Sequence, residues 1–169
     1  RASAFFRRKS GSADGSLSLH CEYVRGDRSL WWHAGAQGDF GGLLNFRQAL
    51  RARGLTEGFQ WIDGSFVENV EVSRGRPPAD IDLVTFVRRP EDLKNDSQWA
   101  SFVKATPELF NPRETKRRYL CDAYLVDLDG RGEILVENTK YWFGLFSHQR
   151  DTSLWKGMLK VPLCSDDDR

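Results

Sequence analysis

The run Phe59-Gln60-Trp61-Ile62-Asp63-Gly64-Ser65, followed after fourteen residues by Asp80-Ile81-Asp82-Leu83-Val84-Thr85-Phe86-Val87, decides the fold. The first segment is a short apolar strand stopped at Asp63-Gly64-Ser65. The second, approached through Pro77-Pro78, is a stronger strand built from β-branched and aromatic residues. Side chains on a strand repeat every second residue, so Asp80 and Asp82 project from one face with α-carbons roughly 7 Å apart. Two ionised carboxylates that close repel each other unless a cation lies between them. A divalent metal or an arginine would serve, and Arg74 and Arg76 stand just upstream.

Outward from this pair, the pattern alternates between helix and strand. Leu43, Leu44, Phe46, Leu50 and Ala52 suit an amphipathic helix ended by Gly54. Pro90-Glu91-Asp92 has the proline and acids of a helix start; that helix, or pair of helices, includes Trp99, Phe102 and Val103, and Pro107 begins a further turn. Residues 119–126 form the third strand, with Asp129-Gly130-Arg131-Gly132 as its turn. Residues 133–146 read as a helix with Leu135, Trp142, Leu145 and Phe146 inward, although Ile134-Leu135-Val136 could also open as strand. Residues 156–161 read as a last, edge strand ahead of Pro162. This order predicts an α/β (α+β) domain, a mixed sheet flanked by helices. Residues 1–38 read as a loosely structured N-terminal extension, 39–163 as the catalytic domain and 164–169 as an acidic tail.

Composition sets outer bounds. The chain has 169 residues, with 25 Lys+Arg against 24 Asp+Glu, which excludes a globally basic nucleic-acid coat but not a local basic patch. No run of about 18 apolar residues exists, so no membrane span is expected. Three scattered cysteines form no CxxC pair, which favours a reducing, cytoplasmic setting and excludes a disulfide framework. The sequence holds no phosphate-binding loop ending in Gly-Lys-Ser/Thr, and Ser147-His148 has no nucleophile elbow around it.

Chemistry concentrates at the quoted segment. A glycine at position 64 lets backbone amides approach a phosphate, and the Ser65 hydroxyl can donate to it. Taken alone, the same residues make an ordinary Asp-Gly turn with Ser65 as a helix cap. The aspartate pair on the following strand tips the balance. Arg113, Lys116, Arg117 and Arg118 form a basic cluster that could grip an RNA backbone, although a solvated face is the preferred reading.

Together, Ile62-Asp63-Gly64-Ser65 and Asp80-Ile81-Asp82-Leu83 resemble the signature of the DNA polymerase β-type nucleotidyltransferase superfamily. The late Lys156-Gly157 adds similarity to small prokaryotic minimal nucleotidyltransferase-like proteins. The resemblance covers roughly residues 40–163, with a longer gap before the aspartates than is usual and no separate helical domain. It implies that Asp80 and Asp82 hold Mg²⁺ (or Mn²⁺), with Asp122 as the third, catalytic metal-binding acid. It also implies that Gly64 and Ser65 cradle the phosphates of a nucleoside triphosphate, ATP being one such substrate. Arg76, Arg150 and Lys156 are then nucleotide-binding candidates, each otherwise an ordinary surface charge. The implied activity is transfer of an NMP to a protein or RNA acceptor, possible acceptors including tRNA, with a toxin–antitoxin or phage-defence role by analogy. The rival expectation is a catalytically silent module of the same fold that binds nucleotide or a partner protein.

Overall fold

The computed structural model describes residues 22–23, 37–64, 81–149 and 154–164. In chain order the elements are β1 (Glu22–Tyr23), α1 (Gln37–Ala52), β2 (Gly58–Asp63), β3 (Ile81–Val87), α2 (Asp96–Ala105), α3 (Pro107–Phe110), α4 (Pro112–Tyr119), β4 (Cys121–Asp127), α5 (Gly132–Phe146) and β5 (Leu159–Pro162). The strands form one mixed sheet in the order β1-β5-β2-β3-β4. Only β3 and β4 run parallel; the other neighbours are antiparallel. The expected mixed α/β architecture is what the chain adopts.

Strand alternation sorts the core into two layers. Ile62, Ile81, Leu83, Cys121, Ala123 and Val161 face one way and pack against Leu43, Phe46 and Leu50 of α1 and Trp99 and Leu109 of α2 and α3. Trp61, Val84, Phe86 and Val126 face the other way, beneath Trp142 and Phe146 of α5. Arg47 of α1 is buried inside the first layer, where it donates to Gln60 Oε1 at 2.7 Å and to the Pro162 carbonyl at 2.6 Å. Gln60 Nε2 in turn donates to Thr85 Oγ1 at 3.0 Å, so a polar thread crosses an otherwise apolar layer. Helix α4 closes the outer edge of β4: Thr115 Oγ1 accepts from the Ala123 amide at 3.3 Å. Helix α1 lies so close to the end of α4 that a β-carbon at Gly42 would overlap the Tyr119 carbonyl oxygen.

Three expectations need correction. The acids after Pro90 form only a short 3-10 turn, Glu91–Leu93. The helix starts at Asp96 because Asn95 caps it, accepting from the amides of Ser97 and Gln98. Leu145 points outward and is 42% exposed, while its neighbour Phe146 turns inward. Strand β5 is interior rather than an edge, lying between β1 and β2, and it includes Pro162. Leu163 N donates to Gly58 O, so alternation turns the Pro162 nitrogen away from β2; on that side β1 pairs only with Leu159 and Lys160. The 1–38 extension contributes the two-residue strand β1 and the first turn of α1; the rest of it, and the 165–169 part of the acidic tail, lie outside the described residues.

Candidate active site at one end of the sheet

Asp63 is the last residue of β2, and in the antiparallel β2–β3 ladder it stands opposite Asp82. In the parallel β3–β4 ladder, Asp82 stands opposite Asp122. Cross-strand partners share a face, so three carboxylates form a row across three adjacent strands with about 5 Å between neighbouring backbones. Two residues further along each strand comes the row Trp61, Val84 and Tyr124, which belongs to the layer beneath α5. The acids are therefore the last described row of that face. Asp82 and Asp122 are half-buried, whereas Asp63 is only 4% exposed.

Gly64 closes the row. It has φ +85°, a conformation that disfavours side chains, and a β-carbon there would overlap the Asp82 carboxylate. The glycine thus lets the chain turn directly over Asp82. Any side chain at this position must displace either the turn or the acid.

Asp63 has a dedicated partner. Lys156 Nζ lies 2.9 Å from its Oδ2, with both side chains largely removed from solvent. The lysine is delivered by the connection between α5 and β5, where Lys156 N donates to Ser147 O, Gln149 N donates to Leu154 O, and His148 bridges to Trp155. Asp63 Oδ1 is buried with no hydrogen-bond partner among the described residues. Burial raises the Asp63 carboxyl to about 6 and the nearby Asp82 charge adds to this, against the lowering effect of Lys156 and the Gly64 amide. Tyr124 reports the same accumulation of negative charge. Its phenol is pushed above the usual range by burial, by the charge of Asp122 to which it hydrogen-bonds, and by Asp82.

Beside this row lies a cleft of about 460 Å³, lined by Asn111, Pro112, Arg113 and Lys116 at the start of α4 and by Asp122 and Tyr124 of β4. Of the expected site residues, the fold brings together Gly64, Asp82, Asp122 and Lys156. Lys156 is engaged by Asp63. Asp80, Ser65, Arg76 and Arg150 lie outside the described residues. Among the described residues, no three His, Cys, Asp or Glu side chains are grouped so as to hold a metal ion; the expected triad includes Asp80. Asp82 and Asp122 supply hard carboxylate oxygens, and both charges contribute, after burial, to raising the Tyr124 phenol. This donor chemistry fits Mg²⁺.

Asp63 as part of the row, and Tyr124 as the neighbour of Asp122, are not evident from the sequence patterns. The signal for Tyr124 was its i+2 spacing from Asp122. The signal for Asp63 was its parity with Trp61, which becomes informative only once β2 is known to pair with β3.

No curated protein and no solved structure matches the chain. Residues 37–162, which span the row from Asp63 to Asp122 and include Lys156, match one described as a family of unknown function, and the chain belongs to this DUF6932 family.

Proposed function

We propose that the chain is a metal-dependent nucleotidyltransferase that moves an NMP from a nucleoside triphosphate to a protein or RNA acceptor in the cytoplasm. The observation that carries this reading is the register: Asp82 and Asp122 are direct cross-strand partners, with Gly64 turning over the Asp82 carboxylate. Lys156 is engaged by Asp63 of the same row. The toxin–antitoxin or phage-defence setting rests on the sequence resemblance. Among the described residues, no helix is long and apolar enough to cross a membrane.

In this reading Asp82 and Asp122, with Asp80, hold Mg²⁺ (or Mn²⁺), which when bound neutralises charge on the transferring phosphate. The triphosphate would lie at the β2 end, where Gly64 turns the chain over Asp82, with Ser65 as the candidate phosphate donor from the sequence. Lys156, fixed by Asp63, stands by on the same side of the row. The acceptor hydroxyl approaches at the Asp122 end and gives up its proton toward that carboxylate. Its oxygen forms a bond to the α-phosphorus as the α–β bridging bond breaks, and pyrophosphate leaves with the electron pair.

The test is incubation with each α-labelled NTP, Mg²⁺ and a cell extract. Label should appear on a macromolecule with the wild-type chain and vanish with Asp82→Ala. Absence of transfer from every NTP would overturn the assignment and favour a silent binding module.

A further inference from the structure

We propose that the outer edge of β4, with the exposed face of α5 beside it, is a two-fold interface on which a second copy of this chain docks. Strand β4 ends the sheet among the described residues. Ile81 N donates to Leu120 O, and Leu128 N donates to Val87 O. The even-numbered residues of β4 therefore bond β3, and the odd-numbered ones direct their backbone groups outward. Of these, the Ala123 amide is taken by Thr115 Oγ1 at 3.3 Å. The amide and carbonyl of Leu125 and the amide of Asp127 have no hydrogen-bond partner among the described residues. They open into a groove of about 560 Å³ between the start of α2 and the first half of α5, whose lining includes Asp96, Val126, Ile134 and Asn138. Unpaired backbone groups along a strand edge select another extended strand.

The open window is short, and pairing there buries far less than the roughly 800 Å² per partner that a stable interface needs. A lone peptide has little else to grip, whereas a second copy brings its own α5. On that helix Ile134, Tyr141 and Leu145 recur at helical spacing and are 53, 60 and 42% exposed, although all three are large and apolar. A two-fold axis through the sheet at Val126 pairs Leu125 with Asp127 of the second copy and Asp127 with its Leu125, each pair exchanging both backbone bonds. The same axis leaves the two α5 helices side by side on one face of the joined sheet, where each shields the apolar stripe of the other. Registers that need the Ala123 amide are excluded by Thr115. Charge fits self-docking as well. Arg89 holds Asp96 and Asp127, Arg88 and Lys94 hold Asp129, and Arg131 reaches Glu133. With its acids matched in this way, the surface neither repels its own copy nor draws a strongly charged strand.

The test is sedimentation equilibrium of the full chain over a range of concentrations, with amide hydrogen exchange at its two ends. The wild-type mass should rise with concentration toward twice the 19.4 kDa of one chain. Ile134→Glu, at an exposed position, should raise the dimer dissociation constant about thirtyfold or more and keep the wild-type thermal midpoint. Leu154→Ser, at an exposed apolar position on the α5–β5 connection, should leave the dimer unchanged. The Leu125 and Asp127 amides should exchange slowly in the dimer and quickly on dilution or in Ile134→Glu. The proposal is overturned if the wild-type chain stays monomeric throughout, if Ile134→Glu associates as wild type does, or if a dimer forms while both amides exchange freely. A monomer whose two amides become protected only when an extended peptide is added would overturn the second copy and give the edge to a peptide.

Discussion

Strand β4 carries an aspartate near each end, and the two are treated in opposite ways. At one end Asp127 receives both Nε and an Nη of Arg89, at 2.9 and 2.7 Å. The same guanidinium reaches Asp96 and the Lys94 carbonyl. Asp129 alongside accepts from the Arg89 amide, Arg88 and Lys94. Arg89 is held charged by Asp127 and then Asp96, while Asp129 is held below the ordinary carboxylate range because its donors outweigh its burial. At the other end, Asp122 has a phenol and two further acids on its row. At the first end the acids are held by arginine and lysine, whereas at the second three acids stand side by side across the strands.

The largest way to break this contrast is at the end that carries the row of acids. Asp82→Asn should cut transfer of labelled NMP by roughly a thousandfold or more, and it removes the charge that helps to raise the Asp63 carboxyl, so the thermal midpoint should fall by much less than in a core mutation. A drop in midpoint comparable to a core mutation would instead make Asp82 a structural acid. At the arginine-held end the effects invert. Arg89→Met should destabilise by about 3 kcal/mol in urea titrations, since Asp127 loses both of its guanidinium bonds. Transfer per folded molecule should be unaffected; a parallel loss of activity would mean that the two ends are coupled.

Asp63 sharpens the comparison through pH. Its carboxyl sits at about 6 in the fold against 3.8 ordinarily, so folding favours the protonated form. That contribution is complete below about pH 4 and is lost as pH rises through 6. Between pH 7 and pH 4 it should add on the order of 2–3 kcal/mol, against the acid-side losses from groups such as Asp129. Urea midpoints for Asp63→Asn and wild type across that window measure it. Identical slopes would place the carboxyl near its ordinary value.

The smallest effect concerns Leu120, which ends α4 at φ +55° and is 42% exposed. Leu120→Gly should raise stability by up to about 1 kcal/mol, as a residue with no β-carbon adopts this conformation freely. A loss on thermal melting would show that the Leu120 side chain packs usefully despite its exposure.

These contrasts also show what could be read from the chain before its fold. The alternation around Asp82 gave the strand and its face, and the resemblance pointed to Asp122, because both are local patterns with fixed periods. The partnership of Asp63 with Lys156 could not be found this way; it depends on β2, β3 and the α5–β5 connection meeting in space, and 93 positions separate the pair. Arg113 and Lys116 read as a solvated face and are exposed on α4; their place beside Asp122 was not legible, because charge patterns along a helix do not reveal which strand edge the helix covers. Leu145 misled for a related reason: helical period places it near Phe146, but only the docking of α5 decides which of the two turns inward.

The buried Arg47 has a temporal implication. Its guanidinium reaches from α1 to the carbonyls of Pro162 and Leu163, more than a hundred residues downstream. Strand β5, which those carbonyls anchor, is the inner neighbour of β2. During vectorial synthesis β2 therefore has one bare edge, and Arg47 lacks these acceptors, until nearly the whole family region has left the ribosome. Lys156, on the approach to that strand, joins Asp63 at the same late stage. A product truncated before this point would carry Asp63 in its buried place without the lysine that pairs with it.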